Sequence, residues 1–480
     1  LVVEVEAPRN GPDLNLTSLI RNAGQIGADR GNVSLAALAI NQEGRITAKT
    51  ALQSNGSIFL TANARAASPQ GSPANGVSRL GGSVTFAAGS VTEVMPDATD
   101  TSTTPDSQSY QANRGVIDVK GRTIESSGSL QAAGGRILLN ASDSADPQGA
   151  RVYLGAGSQT SVAGAWADVD FKKNLQTFRV TSNELKNAPN QKTGILRGAT
   201  VTVDLRQGSN ILDLSGYRGL VPRTVAEKAA LGGEVQVAST GSVIQRNGAV
   251  INASGGGYRY NSGTATTTRL LGQDGKIYDI ATAPELLPYT QLLDRYQATD
   301  SRWNQSVDVA NPLGSVGSYQ AGYAQGLSGG VVTINASAGL VLDGALLGGV
   351  TVGPAQLANA PRGATLRIGD YVAGQRQFSE TQRIGNTLLR QNASDTLGAA
   401  FGAGSALNAA QRDTLNLAST QLFGPALQGA AGLVETGFGT VELNVNGRIV
   451  VPSGVNLVSD PGAELVMRAA QIDLGGNIHL

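Results

Sequence analysis

The sequence predicts an all-β fold, a right-handed single-stranded parallel β-helix with extra-helical insertions and some short helices. Three observations predict it. In Gly232–Ile251 apolar residues alternate, with Val235 and Val237 flanking Gln236, and apolar pairs follow at Val243-Ile244 and Val250-Ile251. Glycines interrupt these runs at fixed offsets: Gly233, Gly241 and Gly248 are eight and seven residues apart, and Gly439, Gly447 and Gly454 repeat that spacing. Of 480 residues, 63 are Gly, 40% are apolar and only 4% are aromatic. Period-two alternation marks a strand with one buried face. Glycine between such runs marks a corner. Short strands recurring about every 20 residues mark a solenoid, whose thin interior suits Val, Ile, Leu and Ala. Roughly 300 residues in such rungs would give about 15 rungs and a rod on the order of 70 Å.

Taken in order, Val33-Ser-Leu35, Gly44-Arg-Ile46 and Gly56-Ser-Ile58-Phe-Leu60 open the coil. A polar loop at about 64–80 precedes strands at Gly81–Phe86 and Gly89–Val91, and 95–113 reads as an exposed loop. Rungs return over Gly115–Asn140; an excursion with Trp166, Phe171 and Phe178 covers about 165–194, and Val201–Leu205 reads as a return to strand. Thr224-Val-Ala-Glu227 is a capping box before a short helix, with Gly232 placed to end it. Asn-Ala-Ser follows a strand at Asn140, Asn252 and Asn335, and reads as one corner recurring in different rungs because Asn tolerates left-handed backbone. A fourth copy, at Asn392, lacks that strand.

The organisation expected is therefore β-helix rungs with short loop insertions over 1–255, an aromatic-rich insertion over 256–328, β-helix over 329–352, a partly helical insertion over 353–438, and β-helix over 439–480. Pro284–Leu287 and Thr290–Tyr296 read as short helical pieces in the first insertion. In the second, Thr365–Ile368 reads as a strand. Ser379–Gln382 reads there as a capping box before Ile384, Leu388 and Leu389, and Ser405–Leu417 as another helix. The chain opens on Leu1 and closes inside a rung, so it is expected to be a piece of a longer protein with open sheet edges at both ends.

Strung together, GG-x-V-x-V, G-x-V, G-x-I and I-N-A-S-G resemble the filamentous haemagglutinin family, the large exoproteins of two-partner secretion in Gram-negative bacteria. Gly275-Lys-Ile-Tyr-Asp-Ile280, Gly322-Tyr323 and Gly339-Leu-Val-Leu-Asp-Gly344 before Pro361-Arg-Gly363 look like the shaft of large haemagglutinin-type adhesins and contact-dependent inhibition proteins. The resemblance implies a secreted, cell-surface or outer-membrane-associated fibre segment that extends and presents binding or effector regions. It implies an outer-membrane transporter as partner during export, and a host or bacterial surface glycan or protein as a contact. The family's secretion domain carries Asn-Pro-Asn signatures. Here the only Asn-Pro is Asn311-Pro312, followed by Leu313, so the likeness is to shaft.

Composition narrows the chemistry. With 36 basic and 36 acidic residues, the chain lacks the basic field of a nucleic-acid binder. No apolar run approaches the roughly 18 residues of a membrane span. Cys is absent and His479 is the only histidine, which removes thiol catalysis and zinc sites of the Cys or multi-His kind. The absence of Cys also suits a chain that crosses an oxidising compartment unfolded. Gly326-Leu-Ser328-Gly-Gly330 spells a nucleophile elbow without a histidine to serve it, and Gly255-Gly-Gly257 is a loop without a phosphate-binding Lys. Asp168 and Asp170, or Asp97, Asp100 and Asp106, are too sparse for a calcium loop. No enzyme, cofactor or metal is expected. The alternative is a polysaccharide-binding or polysaccharide-degrading β-helix, for which Asp118, Asp204 and Arg206 would face outward on strands. Tyr258, Tyr260, Tyr289, Tyr296, Trp303, Tyr319 and Tyr323 form either a small core pinning the first insertion to the shaft or a surface for a partner.

Overall fold

The computed structural model describes residues 1–5, 19–62, 82–107, 114–144, 146–293, 317–372, 384–424 and 432–480, together with the backbone of four short strands, Tyr296–Asp300, Gln305–Val309, Gln377–Phe378 and Leu427–Gly429. Within these residues the chain winds into a parallel β-helix with three faces. The first face stacks ten strands, from Val2–Glu4 through Arg136–Ala141 and Glu234–Ser239 to Glu464–Arg468. The second and third faces stack seven each, ending at Gly339–Leu342 and Ala345–Leu347. The Gly232–Ile251 stretch supplies one strand to each face: Glu234–Ser239, Ser242–Gln245 and Val250–Asn252.

The alternation puts like residues on top of like. Val33, Ile58, Ile117, Ile137, Val235, Val332, Leu366, Val441 and Leu465 are successive register partners on the first face. All but Leu465, on the last rung, are completely buried. Each such side chain contributes about 1.5–3 kcal/mol of burial. Ten strands about 4.8 Å apart span roughly 43 Å, shorter than the 70 Å expected from the sequence because the excursions take up more of the chain.

Glycine acts in two ways. Gly89, Gly157 and Gly248 have φ of 82°, 83° and 86°, and each stands two residues before a strand of the third face; Gly454, with φ of 88°, stands likewise before Asn456–Val458 in the later coil. They make the left-handed corner. Gly233 and Gly330 instead allow close approach: a Cβ on Gly233 would lie 2.1 Å from the Gly135 carbonyl oxygen, and one on Gly330 would lie 1.8 Å from that of Gly233. The asparagines of Asn-Ala-Ser do not share a corner. Asn140 and Asn335 lie on the first face, Asn252 ends a strand of the third, and Asn392 does follow a strand, Asn386–Arg390. Among the described non-glycine residues only Arg30 has a positive φ.

The coil changes after the seventh rung. Thr365–Ile368 is a shaft strand, paired in parallel with Val331–Ala336 and Thr440–Asn444. Ile384, Leu388 and Leu389 do not form a helix, because Asn386–Arg390 is a strand whose parallel partners are Thr414–Ala418 and Arg448–Val451. The Ser405–Leu417 helix shrinks to Ala409–Asp413, capped by Asn408, before that strand. The Ser379–Gln382 capping box lies outside the described residues. The one-turn helix Ser419–Leu422 packs on the third-face strand Ala345–Leu347. Gln421 Nε2 donates to the carbonyls of Leu342 at 2.9 Å and Gly344 at 2.6 Å, and Ser419 Oγ donates to that of Asn456 at 2.7 Å. The helix thus satisfies carbonyls at the corner between the second and third faces and on the later strand Asn456–Val458.

The remaining chain builds a lateral lobe. It leaves the shaft after Gln159–Ser161, returns at Glu234, leaves again after Val250–Asn252 and returns at Val331. Thr200–Asp204 is not a rung strand; it pairs antiparallel with Leu175–Arg179 inside the lobe. Thr290–Leu293 is strand, not helix, within Tyr289–Leu293, which pairs antiparallel with Arg269–Gly272. The capping box of Thr224 and Glu227 is formed, but its helix, Val225–Lys228, ends at Ala229 without a glycine. The lobe has its own core, including Leu185, Val203, Leu212, Leu270, Ile280 and Tyr289.

Candidate functional site

A cleft of about 380 Å³ opens in the lobe where its two halves meet the loop after the third rung. Three arginines line it, Arg206, Arg218 and Arg223, against one aspartate, Asp106. Arg206 follows Thr200–Asp204, and its Nε and Nη2 donate to Asp204 Oδ1 and Oδ2 at 2.8 and 2.5 Å. Asp204 is buried, so this bidentate pair fixes the guanidinium plane. The guanidinium carbon stands 5.5 Å from the Tyr323 ring centre and 5.8 Å from that of Tyr260. The two tyrosine rings stack at 4.8 Å with 18° between planes. Burial pushes the Tyr323 hydroxyl up to about 12, with Arg206 pulling the other way.

Arg223 is placed by the two-residue strand Pro222–Arg223, which pairs antiparallel with Thr104–Pro105. It is 5% exposed and lies 4.2 Å over the ring of Tyr258. Its Nη2 is 3.5 Å from the Tyr260 hydroxyl, and its Nε is 3.8 Å from Asp106 Oδ1, beyond hydrogen-bond length. Nε and Nη1 have no hydrogen-bond acceptor among the described residues. The same holds for Nδ2 of Asn174, also 5% exposed and also lining the cleft. Arg218 stands exposed on the rim. Gln356 closes one side: its Oε1 accepts from Gly326 N and Gly353 N at 2.9 and 3.0 Å, and its Nε2 donates to Gly326 O at 2.9 Å.

The residues singled out in the sequence are mostly dispersed. Asp118 lies on the shaft in an ion pair with Lys120 at 2.7 Å, whereas Asp204 and Arg206 lie in the lobe, and neither Asp204 nor Arg206 faces outward on a rung. Asp168 is exposed, 3.9 Å from Arg259, and Asp170 caps a short turn by accepting from Lys172 N at 3.0 Å. Asp97 pairs with Arg30 at 2.6 Å, and Asp100 accepts from Leu52 N at 2.9 Å. Among the described residues no group of His, Asp and Glu is arranged to hold a metal ion. Ser328 accepts from Arg362 N at 3.2 Å in a loop, Gly257 opens a strand behind Gly255-Gly256, and His479 sits in the strand Asn477–His479. Tyr258, Tyr260 and Tyr289 are buried in the lobe, Tyr323 lines the cleft, and Tyr319 is 71% exposed. The side chain of Tyr296, and Trp303, lie outside the described residues.

Sequence reasoning missed Arg218, Arg223 and Asn174. The available signal was three arginines within 18 residues, Arg206 to Arg223, in a chain only 15% charged. Comparison with protein-family models, curated proteins and solved structures finds no match for this chain.

Proposed function

We propose that this chain is a shaft segment of a large secreted, cell-surface exoprotein of the filamentous haemagglutinin type. In this reading the β-helix extends, the lobe is presented from its side, and an outer-membrane transporter of two-partner secretion is the partner during export. The supporting observation is the nine-residue aliphatic column from Val33 to Leu465. Each rung buries its apolar face on the next, so the coil behaves nearly as a one-dimensional array and can form in order as it leaves a pore. The test is an antibody against the lobe applied to intact cells making the full exoprotein, with and without the transporter. Surface label that disappears without the transporter is the expected result. Label seen only in lysed cells overturns the reading.

A second reading, a polysaccharide-binding protein, is favoured by the cleft. Stacked tyrosines, arginines and a buried amide are groups that hold sugars. Glycoside hydrolysis commonly needs two carboxylates flanking the bond. Among the described residues Asp106 is the one carboxylate lining this cleft, and nearby Asp204 is already committed to Arg206. Binding is therefore favoured over cleavage.

A further inference from the structure

We propose that the lobe cleft binds a sugar ring bearing a carboxylate, a uronic- or sialic-acid unit, with Arg223 and Arg218 engaging the acid group. The inference rests on the second reading above and adds the chemical class of the ligand.

The donors argue for an acceptor-rich, anionic ligand. A buried guanidinium edge without an acceptor is expensive, since its full desolvation penalty is uncompensated. Here Arg223 Nε and Nη1 and Asn174 Nδ2 are all donors without acceptors among the described residues, both residues are 95% buried, and all three atoms belong to residues of one cleft. The side chains that could neutralise the cleft do not do so. Asp204 is bound on both oxygens by Arg206, and Asp106 stays at the rim, 3.8 Å from Arg223 and 45% exposed. Three lining arginines against one aspartate leave the cleft cationic. A carboxylate supplies planar acceptor oxygens to guanidinium donors at short distance, the strongest class of hydrogen bond available here.

Two features point to a sugar rather than a free small anion. The cleft, about 380 Å³, falls in the range of roughly 300–1,000 Å³ common for small-molecule sites. The Tyr323 ring, held against Tyr260 and Arg206, gives a fixed aromatic wall for the apolar face of a pyranose. Gln325 also lines the cleft and carries an amide suited to ring hydroxyls.

The experiment is calorimetric titration of the full chain with oligogalacturonate, oligoglucuronate and sialyllactose, beside their neutral counterparts and a sulfated oligosaccharide. Binding of one or more carboxylated ligands, at least about tenfold tighter than the neutral and sulfated ones, is expected. Arg223→Met should remove most of it. Because Arg223 packs on Tyr258, that variant risks unfolding the lobe; Arg218→Ala, at an exposed site, should fold normally and weaken binding several-fold. Neutral sugars bound as tightly as acidic ones, or sulfated ones bound best, would overturn the carboxylate assignment while leaving polysaccharide binding standing. No binding by any sugar would overturn both. Carboxylate binding unchanged in Arg218→Ala and in a folded Arg223→Met would place the ligand elsewhere and sink the assignment.

Discussion

Leu139 and Leu270 are both completely buried, yet their neighbours differ in kind. Leu139 lies on the first face of the shaft with Val119 and Val237 as parallel register partners on the adjoining rungs. Leu270 lies in the lobe between antiparallel strands, opposite Tyr278 and Leu292, in a core that includes Tyr289. A shaft interior is one side chain thick and repeats at each rung, so aliphatic residues fill it and large ring systems find little room. The lobe must close on itself, and it does so with short antiparallel strands, tyrosines and buried charges such as Arg206 with Asp204. The difference teaches where chemistry can sit. The coil interior holds apolar columns and a few buried amides such as Gln245, which donates to carbonyls at 3.0 and 3.3 Å. The cleft, lined by Arg223 and Asn174 with donors that find no acceptor among the described residues, lies where that pattern is broken.

The sharpest way to break this comparison is to make the same cavity in both regions. Leu139→Ala and Leu270→Ala should each lose about 2–5 kcal/mol locally. In the shaft the loss should spread, since each rung is stabilised by its neighbours. In the lobe it should stay confined. Hydrogen exchange is the measurement: Leu270→Ala should speed exchange over the lobe strands while amides of Glu234–Ser239 stay protected. Shaft exchange rising equally in both variants would make the two regions one cooperative unit.

A smaller effect separates the two kinds of glycine within the shaft. Gly330→Ala forces a Cβ into the Gly233 carbonyl and should lose about 1–3 kcal/mol by overpacking. Gly454→Ala meets open space but must hold φ near 88°, which costs about 1–2 kcal/mol. The distinction lies in rescue. Asn tolerates left-handed backbone, so Gly454→Asn should recover much of the thermal midpoint, whereas Gly330→Asn should fall below Gly330→Ala. Equal rescue at both positions would erase the distinction between corner and contact.

The shaft was legible because period-two alternation, glycine spacing and three strands per rung all occur together in Gly232–Ile251 and Gly439–Leu457. The lobe and the coil beyond the seventh rung were not, for local reasons. In Asn386–Arg390 the inward residues are Thr387 and Leu389, one of them polar, while Leu388 points outward. Polar-in and apolar-out disguises the alternation, and the leucines then imitate helical spacing. In Thr200–Asp204 the alternation of Val201 and Val203 marks a strand, but alternation does not specify a partner, and the partner is antiparallel. The cleft was hidden for a third reason. Nothing adjacent to Pro222-Arg223 distinguishes a buried guanidinium from a solvated one. Its burial follows from Tyr258, brought beneath it by the fold from 35 residues further along the chain.

The smallest effect concerns a charge rather than a column. Arg30 lies just after the first-rung strand Gln25–Asp29, and Asp97 just after the third-rung strand Val91–Pro96, so their 2.6 Å pair spans the rung between them. The Arg30 guanidinium, with the Thr99 hydroxyl and amide, lowers the Asp97 carboxyl from 3.8 to about 2. A carboxyl held lower in the folded chain than in the unfolded one adds stability above the unfolded value. That contribution fades as pH falls from about 4 towards 2, and it is gone once both states are protonated. Asp97→Asn should therefore lower the urea midpoint at pH 6, and its gap from the wild type should narrow steadily towards pH 2. Leu139→Ala, whose loss is of buried volume, should show a gap insensitive to the same titration. A pH-independent gap for Asp97→Asn would mean that Asp97 acts through packing rather than through its charge, leaving inter-rung pairs such as Arg45 with Glu93 to carry the electrostatic link.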